Sequence, residues 1–98
     1  MTGAIIYSVQ YNKGQWESRP RQLQGGDIVV SIGADRVASA QDFFALLKKH
    51  HGLGQNDLVD AGVFRQIPQY PGQFEYRSLQ LDPGDLQLLY GVYSVKRP

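Results

Sequence analysis

The alternation of apolar and polar positions divides the chain into one helix and a set of strands. Asp27 to Ile32 (DIVVSI) is β-branched and nearly all apolar, the pattern of a strand with at least one buried face. Gly33-Ala34-Asp35 breaks that run, and Arg36 and Val37 lead to Ser39. The Ser39 hydroxyl suits the free amides of a helix start, with Asp42 in the place of the capping-box acid. A helix is therefore predicted over Ala40 to His51. Phe43, Phe44, Leu46 and Leu47 form its apolar stripe, Lys48, Lys49, His50 and His51 stand at the negative end of its dipole, and Gly52 is a stop signal. Neighbouring helical residues are about 100° apart, so the two phenylalanines cannot share a direction. Phe43, at spacings of three and four from Leu46 and Leu47, belongs to the centre of the stripe, and Phe44 shares its face with Leu47 and Lys48 at the border.

The remaining segments read as strands separated by turns. Ala4 to Tyr11 alternates loosely, Asn12-Lys13-Gly14 is a turn signal, and Gln15 to Gln24 is polar with Trp16 inside it. Leu58 to Ile67 is strand-like, with Gly62 marking an expected bulge. Pro68 to Gly72 is a turn leading into Phe74 to Leu81, which alternates cleanly, so the two segments form a hairpin. Leu86 to Val95 is rich in tyrosine and valine and suits a last strand, although Leu86-Gln87-Leu88-Leu89 also fits a helical turn. The expected fold is α+β: a small single domain in which a curved antiparallel sheet, in ββαβββ order, packs on one main helix.

Composition narrows the function classes. A chain of 98 residues has room for one core and buries about two thirds of its unfolded surface. No apolar run approaches the ~20 residues of a membrane span. With neither a basic start nor a long apolar stretch following it, a secretory signal is not expected, and the cytoplasm is the default location. The absence of cysteine excludes disulfides, thiol nucleophiles and thiolate metal sites, and a net charge of +1 gives no global field for nucleic acid or anionic lipid.

One stretch resembles a known family. Gly26-Asp27, Ser31-Ile32, Val37, Ser39 and Asp42-Phe43 match at unbroken spacing the pattern of bacterial PDZ domains, such as those attached to the high-temperature-requirement serine proteases. Gly3 to Val9 looks like the strand those domains place before it, so the match covers roughly residues 3–49. The segment Glu17 to Arg21 departs from the family in lacking its small-residue helical turn. The resemblance implies a peptide-binding module that takes an extended peptide or chain terminus as an added strand beside helix 40–51. It implies groove-facing residues Gln41, Phe44 and Lys48. The family's usual first strand, with its carboxylate-binding loop, is not found ahead of Gly3, while an extra strand follows Leu81. A circularly permuted arrangement accounts for both if Leu89, Tyr90, Gly91 and Val92 supply the missing loop and strand.

The candidate chemistry outside that resemblance is sparse. His50 and His51 are adjacent, not three or four apart as a helical metal pair requires, and read as cations at a helix end; no metal site is expected. The serines Ser8, Ser31, Ser39, Ser78 and Ser94 fall in strands or at a cap, none in a strained elbow. The carboxylates lie mostly in turns or at the helix start, and the glycine pairs are too sparse for a phosphate loop, so no cofactor and no enzymatic activity are expected. Lys13, Trp16, Arg19, Arg21, Tyr7 and Tyr11 could form a stacking surface for single-stranded nucleic acid, but a solvated loop with one folded-back tryptophan is the plainer reading. Tyr70, Phe74, Tyr76, Tyr90 and Tyr93 are many aromatics for so short a C-terminal half. They support an alternative reading as a small inhibitor or adaptor, of phage or mobile-element type, that binds a larger folded partner.

Overall fold

Strand pairing radiates from the apolar run after Gly26. The computed structural model describes residues 2–11, 23–51, 59–81 and 86–96, giving the backbone alone for 8–11, 50, 51, 86–90 and 96. The elements are β1 (Thr2–Tyr11), β2 (Ile28–Ile32), β3 (Asp35–Arg36), α1 (Ala40–His51), β4 (Val59–Gln66), β5 (Phe74–Leu81) and β6 (Leu86–Lys96). The sheet runs β5-β4-β2-β1-β6, with β3 paired to β2 off this path, and all pairings are antiparallel.

The expected ββαβββ order thus lacks one element. The Gly33-Ala34 turn is tight enough for Asp35 and Arg36 to fold back onto Ile32 and Ser31. Two residues are too few to show alternation in a sequence. The last segment is a strand throughout, not a helical turn at Leu86–Leu89.

The core lies between the sheet and α1, which packs on β6, β1 and β2. Phe43 is fully buried among Ala4, Ile6, Val29, Ile32 and Val37, and Val63, Leu79 and Leu81 continue the same layer under β4 and β5. Leu23, from the segment read as polar, is buried there too. Ser39 Oγ accepts from Asp42 N at 3.1 Å, and Asp42 Oδ2 accepts from Ala38 N at 3.1 Å, so the capping box closes one residue further back than expected.

Gly62 does not form a bulge. The register shift lies across from it in β2, where Val30 is the extra residue between Val29 and Ser31. Gly62 is needed for close approach instead: a Cβ there would fall on Tyr76 Oη and Ser31 Oγ. On the sheet face away from α1, the pairings Tyr76↔Phe64, Phe64↔Ile28, Ile28↔Ile5 and Ile5↔Tyr93 set five apolar or aromatic residues side by side across five strands. Tyr76 and Tyr93 end this row and are exposed. Among the described residues no helix is long and apolar enough to cross a membrane.

Candidate functional site

The resemblance directs attention to the flank of α1 that faces β6. Ala40 N donates to Ser94 Oγ at 2.9 Å, which ties the start of α1 to the end of β6. On the other flank Lys49 Nζ lies 3.3 Å from Asp35 Oδ2, which turns Asp42, Leu46 and Lys49 toward β3. Gln41, Phe44 and Lys48 lie on the side of the helix away from that ion pair, and all three are exposed. Phe44 remains 47% exposed although its ring packs edge-on against Phe43, with centroids 5.7 Å apart. Its position at the border follows from the 100° step between the two rings.

β6 forms one end of the sheet, and no described strand pairs with its outer edge. Hydrogen-bond parity identifies which of its backbone groups are open. Ile6 N donates to Asp27 O at 2.9 Å and Ile6 O accepts from Gly26 N at 2.7 Å, so Ile6 directs both groups away from β6. By alternation Ile5 directs its own groups toward β6, where it meets Tyr93. Val92 and Ser94, one place to either side of Tyr93, therefore turn their N–H and C=O groups to the open edge. Val92 also packs partly against the core below α1.

The four residues expected to supply a carboxylate-binding loop and strand, Leu89, Tyr90, Gly91 and Val92, all lie inside β6 and form no separate loop there. Ile6 pairs with Val92 but Ser8 pairs with Leu89, so Tyr90 and Gly91 together face Tyr7 in a bulge. Gly91 has φ +92°, a conformation that disfavours any residue with a Cβ. The side chains of Leu89 and Tyr90 fall outside the described residues, as do those of His50 and His51 and the whole set Lys13, Trp16, Arg19 and Arg21.

A second polar feature lies at the other side of the sheet. Asp27 is 1% exposed, and Arg65 grips it from β4 with Nε to Oδ1 at 2.8 Å and Nη2 to Oδ2 at 2.7 Å. Gln24 N donates to the same Oδ2 at 2.9 Å. A cleft of about 490 Å³ opens beside this pair, lined among others by Gly26, Glu75 and Arg77. Arg77 there donates to Glu75 through Nε and Nη2. Each of these two carboxylates is thus held by an arginine, Asp27 by Arg65 of β4 and Glu75 by Arg77 within β5. No group of three or more metal-binding side chains occurs among the described residues. Ser94 and the Asp27–Arg65 pair were not legible as a unit because their partners are 54 and 38 residues distant.

Comparison with known proteins finds no match to a family model, a curated protein or a solved structure.

Proposed function

We propose that the chain is a non-enzymatic interaction module of PDZ-like type that binds an extended peptide by adding it as a strand to β6, beside α1. The observation that carries this reading is a strand at the end of the sheet, with Val92 and Ser94 turning their backbone groups away from β1 and Ser94 tied to the start of α1 through Ala40. Backbone bonds to Val92 and Ser94 would supply affinity, and contacts with Gln41, Phe44 and Lys48 would supply selection. A last strand at the edge beside the helix is also what a circularly permuted arrangement requires. The test is a peptide array with free and amidated C-termini, probed with the native chain and with Phe44→Ala. Selection of peptides sharing a motif, weakened by Phe44→Ala, supports the reading; no selected peptide, or selection indifferent to Phe44, removes it.

The row from Tyr76 through Phe64, Ile28 and Ile5 to Tyr93 favours a second reading, an adaptor that docks on a folded protein through the face away from α1. Tyr93→Ala and Tyr76→Ala would weaken capture of such a partner and leave peptide selection unchanged.

A further inference from the structure

The sheet ends on its other side at β5, whose outer edge pairs with no described strand and whose chemistry fits another copy of itself. Ile67 N donates to Gln73 O at 2.9 Å, which fixes the bonding parity of the β4–β5 hairpin. Glu75, Arg77 and Leu79 therefore bond to β4, while Phe74, Tyr76, Ser78 and Gln80 turn their N–H and C=O groups outward, where no described strand pairs with them. The strand has neither a proline nor a lysine along this edge, devices by which an edge strand is kept from pairing.

Charge then selects one register. Glu75 and Arg77 are two residues apart and so lie on one face of β5, and both are only half-buried. Of the two-fold pairings possible for an antiparallel β5–β5 contact, one centred on Glu75 sets carboxylate against carboxylate, and one centred on Arg77 sets guanidinium against guanidinium. A pairing centred on Tyr76 sets each Glu75 directly opposite the other copy's Arg77, twice by symmetry, at a non-hydrogen-bonded position where side chains approach most closely. In that register Phe74 faces Ser78 and Tyr76 faces its own copy, with about six backbone hydrogen bonds across the axis. The outer-face row ending at Tyr76 would become continuous from one copy to the other.

We infer that the chain forms a two-fold dimer through antiparallel β5–β5 pairing centred on Tyr76, with two reciprocal Glu75–Arg77 ion pairs. This surface is distinct from the β6 edge used for peptide, and the two can fail separately.

The test is sedimentation equilibrium of the full chain and of charge-reversal variants, with circular dichroism to confirm folding. The native chain should show a concentration-dependent dimer. Glu75→Arg and Arg77→Glu should each weaken it at least about tenfold, since each places like charges opposite one another. An equimolar mixture of the two variants should regain association, because one copy then carries two cations and the other two anions; loss of the intramolecular Glu75–Arg77 pair cannot produce that recovery. Ser78→Pro removes an outward N–H without removing a ladder bond, and should leave a folded monomer. A native chain that stays monomeric at millimolar concentration would overturn the inference. So would a mixture no more associated than its components, or a folded Ser78→Pro chain that still dimerises.

Discussion

Breaking the Asp27–Arg65 pair from one side should cost far more than removing it altogether. Arg65→Ala leaves a carboxylate that is 1% exposed with only the Gln24 amide described as a remaining donor. Asp27→Ala removes the hydrogen bonds that Arg65, whose side chain is 12% exposed, makes to the carboxylate, and also frees that amide. Each change breaks an ion pair that is largely withdrawn from water, and each should cost about 3 to 5 kcal/mol. Replacing both, as Asp27→Leu with Arg65→Met, removes the two charges together. The residual cost is that of the unsatisfied Gln24 amide and imperfect packing, about 1 to 3 kcal/mol. Urea denaturation followed by tryptophan fluorescence would supply the four stabilities of a double-mutant cycle, with Asp27→Leu and Arg65→Met as its single variants. The expected interaction energy, the two single costs less that of the double, is at least about 3 kcal/mol. Single variants whose costs simply add to that of the double would refute the reasoning, since independent residues cannot be holding each other's charge.

Three further outcomes follow from the same structure. Phe43→Ala should cost about 3 to 5 kcal/mol in a urea melt, because a fully buried ring leaves a cavity; Phe44→Ala should cost clearly less and act on binding instead. Ser39→Ala should cost about 1 kcal/mol through the lost cap on Asp42 N, with Ser39→Asp close to native by thermal denaturation. Gly91→Ala should cost about 1 to 2 kcal/mol, because the bulge holds that residue at φ +92°. A Gly91→Ala chain as stable as the native one would mean that β6 straightens readily past Tyr7.

How much of this was legible in the chain depended on the distance between interacting residues. The helix could be read to its bounds because its caps, stripe and stop lie within a few residues of one another, and the split between Phe43 and Phe44 followed from helical rotation alone. The β4–β5 hairpin was legible for the same reason, its turn and alternation being local. The return at Asp35–Arg36 was too short to carry a period. Leu23 sits in a polar stretch, so its burial is decided by tertiary packing. The two bulges could not be placed, since a bulge is a property of two strands in register and Gly62 and Gly91 look alike in sequence. One marks a close approach and the other a positive φ. Which strands form the sheet edges, on which both candidate interaction surfaces rest, depends on pairings such as Thr2↔Lys96 that no local pattern encodes.

The central claim is that a peptide adds to the open edge of β6, and amide hydrogen exchange measured residue by residue tests it most directly. With a peptide selected from the array bound, the account predicts new protection at the N–H groups of Val92 and Ser94, with that of Tyr93 little changed because it already bonds to β1. Protection confined to the β5 edge or to the outer face, with Val92 and Ser94 exchanging as in the free chain, would contradict it.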